Sequence, residues 1–359
     1  MTKTLNKYLI KLFLKKFISI SLVFFALIFI LSIFDEISFF KNTDTGVFFP
    51  FFMTILNTPS TIFEIFPFIF LISAQFFFIE LINKDELEAL KFNGLNNLKI
   101  IKILFFSSFL LSLFLIIFFY NFSAKLKFVY LDLKNAYSND NKYLAVVTEN
   151  GLWIKDEIDT KIFIINAKRI EGNYLEVVSI SEFNNEFELI NLIMSDRVDI
   201  SSQNWKILNP KISSNNITKE TTGTYYLSTH FDKEKISTLF RNLSSLNISQ
   251  LMKLNDDYKS LGYSTIEIIS HINKLLSFPF YISIMTVLSS IIMLNLKRNR
   301  SIVFHVILGI LLSVTIYYLY FLFNLFGVNA KIPLLLSIWL PLLILTFFIL
   351  IGLVRINEK

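Results

Sequence analysis

The chain has 359 residues, 54% of them hydrophobic and 16% aromatic, with a mean hydropathy of +0.58 and a formal net charge of +6. This composition excludes a soluble domain with a polar exterior, and the absence of cysteine excludes a disulfide framework, a thiolate metal site and a thiol nucleophile. The basic residues sit beside apolar runs, where membrane orientation accounts for them, so nucleic-acid binding is excluded as well.

A spanning helix needs about 20 apolar residues to cross roughly 30 Å of hydrocarbon. The first run that qualifies is Phe17 to Phe34. Before it, Leu5, Leu9 and Leu12 alternate with Lys7, Lys11, Lys15 and Lys16, an amphipathic stretch expected to lie along the membrane surface. Only Asp35, Glu36 and Ile37 follow the run, without a small-residue cleavage pattern, so it reads as a retained helix rather than a secretory signal. Val47 to Leu56 is too short to cross and is expected to be interfacial. Thr58 suits an N-cap and Pro59 a first turn, which predicts a second span from there to Ile82, with Pro67 as the expected site of a kink. Further spans are predicted at Ile100 to Tyr120, Leu275 to Leu294, Ile302 to Phe326 and Pro333 to Leu353. The fold class is therefore a six-helix membrane protein, three plus three, with an insert between the halves.

Lysine and arginine near short loops set the orientation. One side carries Lys3, Lys7, Lys11, Lys15 and Lys16, then Lys84, Lys91, Lys99 and Lys102, then Lys297, Arg298 and Arg300, and finally Arg355 and Lys359; the other offers Lys41 and Lys331. Both termini are expected to be cytoplasmic and the interval from Asn121 to Asn273 external.

In that interval the period becomes alternating. Strands are predicted at Tyr143 to Thr148, Gly151 to Lys155, Lys161 to Ile165, Tyr174 to Ile180, Phe187 to Met194, Trp205 to Leu208 and Thr224 to Thr229. Turns are expected at residues 150–151, 171–173 and 184–185. Short strands at even spacing point to an all-β sandwich or jelly roll. Ile248 to Gly262 reads as a connecting helix with Leu251, Leu254, Tyr258 and Leu261 on one face. The expected domains are a membrane half over 1–122, a β domain over 123–232, a connector over 233–273 and a second membrane half over 274–359.

No GxxxxGK[ST] phosphate loop, HExxH pair or GxSxG elbow occurs, and His230, His271 and His305 are far apart in sequence, so an enzyme has little support. The loop NKDELEALKFNGLNNLK at 83–99 is more informative. Its acidic start, good helix formers and Gly94 predict a short helix over about 84–94 exposing Leu87 and Leu90, either a solvated connector or a coupling element for a partner ATPase. Glu64 and Glu80 fall inside a span, near its two ends. In the β domain, alternation predicts that Phe187, Leu189 and Ile193, with Leu175 and Val177, share an apolar inner face, either a filled core or a lining for acyl chains.

These features occur in an order that resembles the LptF/LptG permease family over essentially the whole length, and more closely its LptG branch. The resemblance is carried by DELEALKFNGL at 85–95, by ENGLWIKD at 149–156, similar to an LptG-type GLW-x-KD, and by LNISQL at 246–251 followed by Leu261, Gly262, Lys274 and Pro279. It implies six transmembrane helices with a periplasmic jelly roll in a Gram-negative inner membrane. It also implies a heterodimer with an LptF-type permease, a cytoplasmic LptB-type ATPase dimer that binds the ATP, and delivery of lipopolysaccharide to LptC and an LptA-type bridge. The chain itself would need no cofactor. By the same resemblance Glu86, Leu87, Leu90 and Gly94 would couple to the ATPase, while Lys41, Phe187, Leu189, Ile193, Leu175 and Val177 are the candidate lipid contacts. Ser32, Asp35 and Glu36 stand where family members commonly have basic residues at the outer end of the first span, leaving Lys41 as the nearest cation there. A membrane-anchored sensor or scaffold is the competing reading.

Overall fold

A computed structural model of the chain describes residues 2–41, 43, 45–92, 94–137, 152–158, 161–214, 217–220, 223–233, 235–236, 242–260, 263–295 and 301–357. Two compact units result, residues 1–127 with 266–359, and residues 128–265. The strand expected at Tyr143 to Thr148, the turn at 150–151 and the cations at 297, 298 and 300 lie outside the described residues.

The first unit is helical. α1 (Thr2–Phe40) is one uninterrupted helix, so the basic preface and the first span form a single rod. The preface does not lie apart from the bundle, because Leu9, Leu12 and Phe13 are buried and Phe13 meets Phe70 and Phe77 of α2 (Phe49–Asn83) with ring centroids 6.2 Å apart. α2 also starts earlier than the sequence predicts. Pro50 occupies its first turn, and Thr58 does not cap it. The Thr58 hydroxyl instead donates to the Thr54 carbonyl at 2.7 Å, and Thr54 donates to Pro50 at 2.8 Å, within a continuing helix. Pro59 and Pro67 are both interior. After the short α3 (Glu86–Phe92) come α4 (Asn97–Phe114), a π-helical turn at Leu115–Tyr120, and α5 (Asn121–Ala136). The side chain of Asn96 caps α4 by accepting the Lys99 amide.

Beyond the insert, α7 (Ile266–Leu294), α8 (Ile302–Val328) and α9 (Leu334–Asn357) complete the unit. Among the described residues, six helical stretches are long and apolar enough to cross a membrane. α2 and α7 are the most buried. Ser277, Ser283, Thr286, Ser289 and Ser290 of α7 are sealed from solvent, and such small residues let helix backbones approach closely in lipid. The Ser289 hydroxyl donates to the Leu71 carbonyl of α2 at 2.8 Å, and Phe63 stacks on Phe278 at 4.6 Å. Leu71, Ile101, Tyr281, Met285, Ile316 and Leu342 form the core where five helices meet.

Among its described residues the second unit holds eight antiparallel strands: β1 (Leu152–Ile158), β2 (Lys161–Glu171), β3 (Tyr174–Phe183), β4 (Leu189–Asp199), β5 (Asn204–Leu208), β6 (Lys211–Ser214), β7 (Ile217–Glu220) and β8 (Thr224–Ser228). They pair in the order β1-β2-β3-β4-β5-β8, with β6 on β4 and β7 on β6. The jelly-roll-like insert is thus an antiparallel half-barrel. Residues 197–199 of β4 pair with β5 and residues 192–194 with β6 in one unbroken register. β5 and β6 are accordingly a single strand interrupted at Asn209 and Pro210.

That interruption belongs to a fold line across the sheet. Lys168, Val177, Asp196 and Asn209 are opposite one another in register and none forms a bridge. Val177 and Asn209 have φ of 52° and 44°. On β3 the buried positions shift from Leu175 to Val178 and Ile180 as the chain crosses the line, and on β4 from Ile193 and Ser195 to Val198. A left-handed residue reverses which side the next side chain faces, and the line bends the sheet as a bulge does. Trp205 lies fully buried within the curve and its indole N–H donates to the Phe231 carbonyl at 2.7 Å. α6 (Ile248–Ser260) opens with a reciprocal capping box, Asn247 accepting the Gln250 amide while Gln250 accepts that of Asn247. It buries Leu251 and Leu254. Tyr263 then covers part of the edge strand β1, its hydroxyl accepting the Lys155 N–H and donating to the Lys155 carbonyl.

Candidate coupling site

α3 follows α2 after a tight reversal in which Asp85 takes φ 55°. Its end is a complete Schellman motif. The Leu95 N–H donates to the Leu90 carbonyl at 3.1 Å, the Gly94 N–H donates to Lys91 at 3.0 Å, and Gly94 has φ 80°. The hydrophobic contact typical of that motif joins the residue three positions inside the helix to the one just past the glycine. Those residues are Leu90 and Leu95, exposed by only 7% and 4%. Leu90 is therefore not the exposed apolar contact that the sequence predicts, since the motif turns it inward. Leu87 is half-buried and Gly94 exposed, while Phe92, which periodicity did not single out, is 90% exposed.

Two carboxylates flank this element and have different partners. Glu80, in the last turn of α2, forms ion pairs with Lys16 of α1 and with Lys84, the latter at 2.7 Å. The Glu-to-Lys spacing of four is the favourable sense on a helix, and the carboxylate holds the exposed Lys84 ammonium above the ordinary lysine range. Glu86 instead accepts a hydrogen bond from the Tyr8 hydroxyl of α1 at 2.5 Å. Its partner is neutral, so its charge is uncompensated by that bond. The N-terminal turns of α1, the end of α2 and α3 are thereby tied into one corner.

A second polar group gathers around Glu64, near the middle of α2, from the helices α5 and α7. Glu64 is within electrostatic reach of Lys127 and Lys274; Lys127 also donates to Asn57 at 2.5 Å. Tyr120, at the end of the π-helical turn, shares a 2.9 Å hydrogen bond with His271. Lys127 and Lys274 are separated by well over a hundred positions in the chain, and sequence spacing alone gave no sign that they converge. Lys41 stands exposed just beyond α1.

The candidate lipid contacts of the β domain do not share one face. Leu175 and Ile193 are sealed in the core. Val177 is 58% exposed because it sits on the fold line. Phe187 is 63% exposed and precedes β4 in a turn where the Asn184 side chain accepts the Glu186 and Glu188 amides. Leu189 is exposed as well. Strict alternation failed at Val177 because the backbone there is left-handed, and at Phe187 because the turn is longer than the Asn-Asn pair that signals it.

Comparison with family models finds a match over residues 7–355 to the family described as lipopolysaccharide export system permease LptF/LptG. A search of curated proteins finds no match.

Proposed function

The chain belongs to the LptF/LptG family of lipopolysaccharide export permeases, and from that premise we propose that it is the LptG-type half of the exporter, driven through α3. Subunits of this family are the membrane part of an ABC exporter and carry no ATPase domain, so hydrolysis belongs to a partner. In this reading α3 and both termini are cytoplasmic, the half-barrel is periplasmic, and an LptB-type ATPase dimer presses on α3. An LptF-type permease completes the path along which lipopolysaccharide leaves the outer leaflet for LptC and an LptA-type bridge. The observation that carries the reading is α3 itself. It is a seven-residue helix, capped at its end, displaying a charged Glu86 and a bare Phe92 beside a corner that joins α1 and α2. Extracting acyl chains costs on the order of 0.8 kcal/mol per methylene exposed, which is why such a permease needs an external motor. Lys127 and Lys274 add cations for an anionic headgroup to Lys41, which stands alone near the outer end of the first span.

The native chain has no cysteine, so single cysteines report topology on a clean background. Phe187→Cys should react with a membrane-impermeant thiol reagent on spheroplasts, and Phe92→Cys only after permeabilisation. Phe92→Cys should also crosslink to a co-purified ATPase. Labelling of both positions from outside would remove the coupling assignment.

A further inference from the structure

The corner at Tyr8 carries an inference that deepens the coupling assignment and rests on it: we infer that Tyr8 is a positioning residue that presents Glu86 to a basic side chain of the ATPase. The ATPase-facing surface is then built from two chain segments, the N-terminal turns of α1 and α3, rather than from α3 alone.

The argument begins with charge. Three of the nearby charged groups, Lys16, Glu80 and Lys84, pair with one another, and Lys84 reaches Glu86 through space without forming an ion pair with it. Glu86 differs because a phenol orients a carboxylate without cancelling its charge. The bond is made to Oε2, and among the described residues no other hydrogen bond reaches the Glu86 side chain. A carboxylate has about four acceptor positions, so Oε1 and the remaining lone pairs stay available to an incoming cation, the arrangement that a guanidinium or ammonium recognises best. A partner of opposite charge is the occupant that this arrangement selects. Lys84 and Lys91 border the same helix, so it is the open lone pairs of Glu86, not the net charge of the surface, that select a basic side chain at this point.

Geometry adds a second reason. A glutamate on a short surface helix has several rotamers, and fixing it costs entropy at the moment of docking. Tyr8 removes part of that cost in advance. Its own position is fixed because the neighbouring α1 side chains Leu9, Leu12 and Phe13 are buried and Phe13 lies against Phe70 and Phe77 of α2. Lys16, two turns further on, ties the same face of α1 to Glu80. Tyr8 itself remains 40% exposed, so a docked partner can touch the phenol ring as well as the carboxylate. Displacement of α3 would therefore be felt directly by α1, without passing along α2.

The test is a double-mutant cycle on the full exporter in nanodiscs, titrated with its purified ATPase subunits. Tyr8→Phe keeps the ring and removes only the hydroxyl. It should weaken ATPase binding by about three- to tenfold when Glu86 is present, and by nothing further in a Glu86→Gln background, with ATP hydrolysis by the free ATPase unchanged. Equal losses in both backgrounds, or no loss in either while Glu86→Gln alone is damaging, overturn the role of Tyr8 and leave the coupling assignment intact. A neutral Glu86→Gln overturns the coupling assignment, and the role of Tyr8 with it.

Discussion

Replacing Gly94 tests the helix stop in isolation. A Cβ at this position meets nothing within 4 Å, and φ is +80°, so an alanine brings no clash, only left-handed backbone strain of about 1–2 kcal/mol. That sum is decisive because α3 has seven residues, far fewer than the number an isolated helix needs to persist. Its last carbonyls depend on the amides of Gly94 and Leu95. A penalty of this size lowers the ratio of capped to frayed α3 by a factor of about 5–30. Asparagine tolerates the left-handed region better than alanine, and a β-branched residue worse. The expected order of protection is therefore Gly, then Asn, then Ala, then Val. Hydrogen exchange of the peptide covering residues 86–95 measures it directly, and lipid-dependent ATP hydrolysis by the reconstituted exporter should fall in the same order. Gly94→Ala exchanging like the native chain, or Gly94→Asn faring worse than Gly94→Ala, would refute the capping argument.

Gly309→Ala should destabilise the helical unit by about 1–3 kcal/mol through overpacking, because the added Cβ would run into the side chain of buried Gln75, whose amide donates to the His305 carbonyl at 3.0 Å. Thermal denaturation in detergent checks this, and adding Gln75→Ala should recover part of the loss by making room. Trp205→Phe should cost the full-length protein about 2–3 kcal/mol from lost volume and the lost indole hydrogen bond, read as earlier unfolding of the half-barrel in hydrogen exchange. Asp199 accepts the Ser201 amide at 2.9 Å, which holds its carboxyl below the usual aspartate range. A depressed folded value means that the stabilisation is present above the unfolded aspartate pKa near 4 and is lost as pH falls through the lower folded value. Denaturant titrations of Asp199→Asn should accordingly differ from the native chain near neutrality, by less than about 1 kcal/mol for a group that solvent still reaches, and converge with it in acid.

The six spans were legible because a bilayer demands about 20 apolar residues and intrachain hydrogen bonding, a signal that every part of such a helix repeats. Their ends were not. Thr58 and Pro59 are good start signals in water, yet Thr58 turned its hydroxyl back along α2, and Pro50 opened the helix. β6 and β7, with sequences KISS and ITKE, escaped notice because four-residue polar strands have almost no alternation to read. The acidic start and glycine stop of α3 were readable locally, whereas the inward turn of Leu90 required recognising that Leu95 completes the motif. Tyr8 and Glu86 are 78 positions apart, so no window along the chain could have joined them. The same is true of Lys127 and Lys274, whose proximity to Glu64 exists only once the helices assemble.

How far a push on α3 travels depends on what α2 can transmit. α2 has 35 residues, about 52 Å at 1.5 Å per residue, but it is not a uniform rod. Pro59 and Pro67 cannot donate to the carbonyls of Ile55 and Phe63, so the backbone ladder is cut twice. The longest unbroken stretch is the one nearest α3, from Pro67 to Asn83, and it is also the stretch joined to α1 by the Phe13 and Phe17 rings, to α7 by Ser289 and to α8 by Gln75. Beyond Pro67, displacement is relayed chiefly by side chains such as Phe63 against Phe278 and Tyr120. The polar group of Glu64, Lys127 and Lys274 lies past that change of stiffness. A rigid segment held by three helices and followed by a weakened one concentrates bending at Pro67, which places the compliant point between the charged corner at α3 and the cations around Glu64.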